Sequence, residues 1–333
     1  MHAPDFWSAP ERGWQAQLLK PASALYDLGA RLRQITTTAY RASVPVLCVG
    51  NLTLGGTGKT PVAVALCESF KTSGRSPTFL TRGYGGRLKG PLLVDAARHR
   101  AEDVGDEPLL LAEIAPVVVS SNRVAGAQFA EATGASLIIM DDGFQNPTLE
   151  KTLSVVVVDG ETGFGNGAVF PAGPLREPVA RGLARAHAII LVGGAGTLPE
   201  RQEFARLPVF PVQLLPDEIT AAAVRGRTVV AFAGIGRPRK FFTTLENCGA
   251  VLAGTHAFPD HFPYTEAHIA ALKAETARRG AALITTHKDL VRIPLALREG
   301  IEVLRVRAHF AEPGAIAAFI NETLASFAPP ARA

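Results

Sequence analysis

The chain of 333 residues is long enough for two domains of unequal size, and 47% hydrophobic against 19% charged residues excludes a disordered chain. A net charge of +4 suits an anionic substrate or an anionic membrane surface. Without interleaved basic and aromatic residues it leaves no footprint for nucleic acid.

Cys48, Cys67 and Cys248 are widely spaced and form no CxxC pair. That argues against a disulfide framework or a zinc site, and for small buried hydrophobes in a reducing compartment. No run reaches the roughly 18 apolar residues of a membrane span. Met1 to Gly13 lacks the apolar core of a secretory signal. The expectation is a protein that stays on the cytoplasmic side of any membrane it touches.

The first element is an amphipathic helix within residues 13–41. Pro21 suits the opening turn of a helix, where a missing N–H is no loss. After it, Leu25, Leu28, Leu32 and Ile35 share one helical face. Lys20, Arg31, Arg33 and Arg41 add positive charge, and Trp7, Trp14, Tyr26 and Tyr40 are aromatics of the kind found at lipid boundaries. The pattern fits a helix lying on a membrane surface, and equally one packed on its own domain.

From residue 44 the pattern is α/β. Strands are predicted at Val44–Gly50, Ser76–Leu80, Pro116–Ser120, Leu137–Met140, Leu153–Val158 and Ala188–Val192, with helices between them at Pro61–Ser73 and Asn122–Thr133. Nearly unbroken apolar strands alternating with helices predict a mostly parallel sheet covered on both faces. Pro208–Pro216 reads as an extended linker. A second α/β set follows, with strands at Thr228–Ala233, Val251–Thr255, Ala281–Thr285 and Glu302–Val306. Its helices lie near Phe241–Asn247, Glu266–Arg279 and Pro313–Phe327. The expected organisation is a helix over 1–41, a P-loop domain over 42–215 and a smaller α/β domain over 216–333.

The chemistry starts at Gly55-Gly56-Thr57-Gly58-Lys59-Thr60, between a strand and a helix. In a P-loop, glycines let backbone N–H groups close round phosphate oxygens, and the helix N-terminus adds positive dipole. Lys59 would reach the β- and γ-phosphates, and Thr60 would bind Mg²⁺. Thr53 stands where the standard pattern has its first glycine. A dinucleotide fingerprint fits less well, because Pro61 occupies its third glycine position.

Leu137-Ile138-Ile139-Met140 ends in Asp141-Asp142-Gly143-Phe144-Gln145. An apolar strand ending in Asp downstream of a P-loop is a Walker B arrangement, suited to Mg²⁺; an Asp-Asp-Gly run also suits a plain solvated turn. Thr286-His287-Lys288-Asp289 has the wrong spacing for a guanine-reading element, so ATP is the expected nucleotide.

Further segments complete a pattern. They are Thr81-Arg82-Gly83-Tyr84-Gly85-Gly86, Val104-Gly105-Asp106-Glu107-Pro108, Asp159-Gly160 with Gly163 to Gly167, Pro171-Ala172-Gly173-Pro174-Leu175-Arg176-Glu177-Pro178, Ala233-Gly234-Ile235-Gly236 and Asp260-His261. Together with the P-loop and the Asp pair, they closely resemble the tetraacyldisaccharide 4′-kinase family of lipid A biosynthesis. The resemblance runs from about Trp14 to Asp289, and the family's P-loop also lacks the first glycine.

The resemblance implies transfer of the ATP γ-phosphate to the 4′-hydroxyl of an acylated glucosamine disaccharide 1-phosphate, giving lipid IV-A. It implies Mg²⁺, a peripheral place on the cytoplasmic face of the inner membrane, and a site between two α/β domains. By the same resemblance Asp106 is the base and His261 its partner. From the residues alone, Asp106 could cap a helix near Pro108 and His261 could be a loop residue.

ATP contacts are expected from Thr53, Leu54, Gly55, Gly56, Thr57, Gly58, Lys59 and Thr60. Metal contacts are expected from Thr60, Asp141 and Asp142, the two carboxylates also serving the attacking group. Arg123 and Arg176 are candidate phosphate contacts, because a guanidinium fork matches phosphate oxygens. Arg82, Glu107, Gln145 and Glu177 stand near the substrate by resemblance only. His287 departs from the Glu that the family commonly has before Lys-Asp. The lipid acceptor favours the interfacial reading of residues 13–41. A P-loop kinase of a soluble sugar, and a nucleotide-dependent switch that would not need Asp106, are the competing readings; no obligate protein partner is implied.

Overall fold

The computed structural model describes residues 4–8, 13–193 and 206–330. Helix α1 (Trp14–Thr36) leads to strand β1 (Val46–Gly50), which runs into α2 (Lys59–Thr72). Then come β2 (Pro77–Thr81), β3 (Leu92–Leu93), α3 (Ala101–Val104), α4 (Asp106–Ala112), β4 (Val117–Val119), α5 (Arg123–Ala132) and β5 (Leu137–Asp141). After them follow β6 (Leu153–Asp159), α6 (Val179–Leu183), β7 (Ala188–Val192) and β8 (Val209–Pro216). The remainder comprises α7 (Glu218–Val224), β9 (Thr228–Ala233), α8 (Pro238–Asn247), β10 (Val251–Ala257), α9 (Glu266–Arg279), β11 (Ala282–Thr286), α10 (His287–Leu290), β12 (Ile301–Leu304), β13 (Val306–Phe310) and α11 (Pro313–Ala325).

The expected α/β architecture is the one observed. The larger sheet has the order β13-β8-β7-β6-β1-β5-β2-β4-β3. Its inner pairs are parallel, and only the edge pairs β3–β4 and β8–β13 are antiparallel. Strands β1, β2, β5 and β7 are buried at every position, as a sheet covered on both faces requires. Two apolar layers form its core, one on each face. The smaller sheet, β10-β9-β11-β12, is wholly parallel.

Pro208–Pro216 is not a linker, because Val209–Pro216 is strand β8, paired in parallel with β7. Its prolines suit an unpaired extended segment equally well. Pro211 lies just past the β8–β13 ladder, whose last pair is Phe310 with Val212, and its carbonyl still accepts from the Ala311 N–H. A missing N–H costs little at the end of a ladder. The sheets also divide the chain differently from a single break at residue 215. After β12 the chain leaves the smaller sheet, and β13 pairs with β8. Helix α11 then buries Ile316, Ile320 and Leu324, four residues apart on one face, in the core of the larger sheet.

Helix α1 starts at Trp14, so Pro21 lies inside it rather than at its opening. It touches the body through a narrow face. Ala16 and Ser23 are buried; the Ser23 hydroxyl donates to the Val169 carbonyl at 2.8 Å and accepts from the Ala172 N–H at 3.1 Å. Asp27 pairs with Arg181 at 2.5 Å. The opposite stripe of Trp14, Leu18, Leu25, Leu28, Leu32 and Ile35 is exposed. A helix held only for the sake of the core would have turned this stripe inward.

Candidate active site

The parallel pairing of β1 with β5 brings two strand ends together. Val49 lies opposite Asp141, and the Asp142 N–H donates to the Val49 carbonyl at 3.1 Å. The loop after β1 and the acidic end of β5 therefore share the carboxyl edge of the sheet, where open α/β sheets take ligands.

Gly58 makes the turn into α2 with φ +83°; a Cβ there would stand 3.1 Å from Leu214 and 3.3 Å from Val192. The helix then opens at Lys59, two residues before Pro61, leaving its first N–H groups to point at the loop. The buried Asn51 amide ties the loop from inside, donating to Thr53 Oγ1 at 3.4 Å, the Gly55 carbonyl at 3.4 Å and Thr57 Oγ1 at 3.3 Å. Thr53 and Thr57 are buried, while Leu54, Gly55 and Gly56 face solvent at the tip. Among the described residues the non-glycine positions with positive φ are Asp142 and His261, so Thr53 has no need of glycine's freedom.

The Gly-Pro-Leu-Arg segment is stitched to this loop. Thr53 bridges Leu175, the Leu54 N–H donates to Pro174 at 2.7 Å, and the Arg176 N–H donates to Leu52 at 2.7 Å. That places Arg176 over the acidic pair. Its guanidinium donates to both Asp142 oxygens, at 2.9 and 3.1 Å, and Lys59 Nζ lies 3.7 Å from the same carboxylate.

The two adjacent aspartates are shifted in opposite directions. Burial pushes Asp142 up, but Lys59 and Arg176 outweigh it and hold the carboxyl below its ordinary value. Asp141 is wholly buried, and burial together with the charge of Glu107 pushes it up to about 7. One Asp141 oxygen accepts from the Thr60 hydroxyl at 3.3 Å; the other is buried with no hydrogen-bond partner. An orphaned carboxylate oxygen beside a P-loop threonine, in a place that penalises negative charge, fits an oxygen-seeking divalent cation.

Arg123, on the first turn of α5, is buried, and burial and the charge of the exposed Arg82 pull it down to about 10. It donates to the Ser120 carbonyl, its Nε has no partner, and no acid pairs with it among the described residues. The charges of Asp142 and Asp141 pull the other way without pairing with it directly.

Gln145 and Glu177 face inward. Gln145 donates to the Asn51 carbonyl at 2.9 Å and to Glu177 at 3.2 Å. Glu177, 1% exposed, is gripped by Arg185 at 2.6 and 2.7 Å and by Arg181 at 3.4 Å. In this arrangement they brace the loop that carries Arg176 rather than present themselves to a substrate. Glu177→Gln is expected to lower stability by roughly 2 kcal/mol, less than a fully buried pair because Arg185 keeps about a third of its surface in water. Urea denaturation checks this, and an unchanged midpoint would contradict it.

A second cluster forms at the start of α4. Gly105 has φ +93°, and a Cβ there would come within 2.5 Å of the Tyr84 carbonyl, so the glycine-rich 81–86 loop packs directly on the residue before Asp106. Asp106 is buried. Its Oδ1 accepts from the Glu107 N–H at 2.9 Å. Its Oδ2 accepts from His261 Nδ1 at 3.0 Å and from Arg292 at 2.8 and 2.5 Å, with Lys288 3.9 Å away. Burial pushes this carboxyl up, yet the His261 hydrogen bond and the charges of Lys288 and Arg292 hold it well below the usual carboxylate range. His261 has φ +59°, a conformation few non-glycine residues adopt and one that collects at functional sites.

The pairing of Asp106 with His261 thus joins the two sheets at one site. Arg292 and Lys288 are the partners that sequence reasoning missed. Glu107 links the clusters, with Lys288 3.7 Å from its carboxylate and its own charge felt by Asp141. His287 sits outside the cluster and reaches Glu113 at 2.9 Å.

A P-loop on a parallel sheet, an acidic strand end beside its lysine and threonine, and a buried carboxylate facing a histidine from a second sheet define a phosphotransferase. Over residues 15–325 the chain matches the family model described as tetraacyldisaccharide-1-P 4′-kinase (LpxK). It is 52% identical over 313 residues to the tetraacyldisaccharide 4′-kinase of Gluconacetobacter diazotrophicus, covering 94% of this chain and 95% of that one. It is 48% identical over 329 residues to that of Rhodospirillum rubrum, covering 97% and 98%. The crystal structure of the LpxK "apo" form from Aquifex aeolicus in complex with ATP superposes with a TM-score of 0.78 at 27% identity, covering 93% of this chain and 99% of that one. The chain belongs to the tetraacyldisaccharide 4′-kinase family and is a P-loop kinase.

Proposed function

We infer that the chain transfers the γ-phosphate of ATP to the 4′-hydroxyl of a tetraacyldisaccharide 1-phosphate, making the bisphosphorylated lipid A precursor. Family membership over nearly the whole length carries the reaction. The pairing of Asp106 with His261 carries the assignment of roles.

The loop from Thr53 to Thr60 would cradle the phosphates through backbone N–H groups, with Lys59 on the transferring phosphoryl group. Thr60 and Asp141 would hold Mg²⁺, with Asp142 close by, and the ion would neutralise charge on the phosphate oxygens. Arg176, Arg123 and Arg82 would stabilise the equatorial oxygens of the phosphoryl group.

Asp106, its carboxyl held well below the usual range, is ionised at neutral pH, and Oδ1, which accepts from the Glu107 N–H, keeps a second lone pair. The sugar hydroxyl would donate there. As the hydroxyl oxygen bonds to phosphorus, the bond from phosphorus to the ADP oxygen breaks and the proton passes to Asp106. So acidic a carboxylate is a weak base, and that is tolerable in a loose transition state, where bond formation to the nucleophile lags behind bond breaking. His261 would keep the carboxylate oriented.

No helix among the described residues is long and apolar enough to cross a membrane. The exposed stripe of α1, flanked by Lys20, Arg31 and Arg33, supports a peripheral seat on a membrane surface, for which the family resemblance implies the cytoplasmic face of the inner membrane. Replacing Leu25, Leu28, Leu32 and Ile35 with serine is expected to abolish cosedimentation with anionic vesicles and lower lipid turnover several-fold, with the KM for ATP unchanged. Full cosedimentation of the variant would contradict the interfacial reading. The reaction itself is tested by offering the deacylated disaccharide 1-phosphate beside the lipid acceptor. Preference for the lipid supports the inference, and equal use of the soluble sugar contradicts it.

A further inference from the structure

The Thr286–Arg292 segment follows β11, and the roles assigned so far leave it without a task. Its interactions converge on one point. Asp289 is fully buried and accepts from the Gly234 N–H at 3.0 Å, the Tyr264 hydroxyl at 3.0 Å, the Thr286 hydroxyl at 2.6 Å and Arg292 at 3.1 Å. The Arg292 side chain is itself only 5% exposed. One arm of its guanidinium is fixed by Asp289 and by the Gly234 carbonyl at 2.7 Å; its Nε and other arm grip Asp106 Oδ2. The same Gly234 carbonyl accepts from the His261 N–H at 3.1 Å. The guanidinium therefore ties the backbone that bears His261 to the carboxylate that His261 contacts.

We propose that Arg292, braced by Asp289, is a positioning residue for phosphoryl transfer. It locks Asp106 through Oδ2 and leaves Oδ1 to meet the acceptor hydroxyl. This inference rests on the reading of Asp106 as the group that receives the hydroxyl proton. An ordinary ion pair between two sheets would need neither the two-nitrogen grip on one oxygen nor the shared Gly234 carbonyl. A lysine at 292 would carry the charge without the planar fork that fixes orientation.

The test uses the full-length enzyme with the lipid acceptor. Arg292→Lys is expected to lower kcat by roughly 10- to 100-fold, the scale set by small misplacements of a catalytic group, with the KM for ATP unchanged. Arg292→Met is expected to be slower still, so that lysine gives partial rescue. In the Asp106→Asn background, Arg292→Lys is expected to add no further loss, because its effect passes through Asp106.

Normal kcat in Arg292→Lys overturns the proposal, and so does a double variant slowed by the product of the two single losses. An equal fall in kcat and in ATP affinity also overturns it, by marking a general structural role. Should Asp106→Asn alone keep normal turnover, the reading of Asp106 falls instead, and the two failures stay distinct.

Discussion

Asp106→Asn is expected to lower turnover by roughly 10²- to 10⁴-fold, the usual worth of a positioned acid or base, with the KM for ATP nearly unchanged. The amide keeps the size of the side chain and one oxygen, so α4 stays in place. It loses the charge that Arg292, Lys288 and His261 surround, and any capacity to take a proton. The cradle lies on β1 and α2, apart from this cluster, which is why ATP binding is spared. Steady-state kinetics with ATP and lipid varied separately make the comparison. A parallel loss of ATP affinity would move Asp106 from the chemistry to the scaffold.

Asp141→Asn is expected to act in opposite directions on activity and on stability. Turnover falls sharply, because the carboxylate proposed to hold the cation beside Thr60 is gone. The metal-free, nucleotide-free protein becomes more stable at alkaline pH. Burial and Glu107 raise Asp141 from 3.8 to about 7, so between these values the folded state binds more protons than the unfolded state. Stability contributed by a raised carboxyl is present at low pH and is lost as pH rises through that window. At about 1.4 kcal/mol per pH unit the full loss is about 4 kcal/mol as an upper bound. The difference in stability between wild type and Asp141→Asn should therefore swing toward the variant from pH 5 to pH 8, read by urea denaturation without divalent cations. A constant difference across that range contradicts the picture of a carboxylate whose negative charge burial and Glu107 oppose.

Much of this was legible in the sequence for identifiable reasons. Strands such as Leu137–Asp141 are apolar at each position before the acid, and that pattern survives only in a sheet buried on both faces. The Gly58-Lys59-Thr60 turn announces itself because few other backbones can make it. Strand β8 was hidden by its prolines, and β13 by its position after an element of the other sheet. Its partner, β8, lies some ninety residues earlier, a distance across which no local pattern carries.

The site divides in the same way. Asp106, Asp141, Asp142, Lys59 and His261 sit in short runs whose composition already suggests chemistry. Arg292 does not. It stands after a four-residue helix, and its meaning comes from Asp106, which is 186 positions away in the chain. Glu177 shows the converse: its run was legible, yet its carboxylate is spent on Arg181 and Arg185. Residues 194–205, which the sequence left between β7 and the supposed linker, lie outside the described residues.

The most direct measurement follows the terminal phosphate itself. ATP labelled at the γ-position is incubated with the tetraacyldisaccharide 1-phosphate in detergent micelles, and the lipids are separated by thin-layer chromatography. The wild-type enzyme is predicted to move label into a single, more polar lipid bearing a 4′-phosphate, and Asp106→Asn to move almost none. Label appearing as free phosphate in the presence of acceptor, with the lipid unlabelled, would contradict the account.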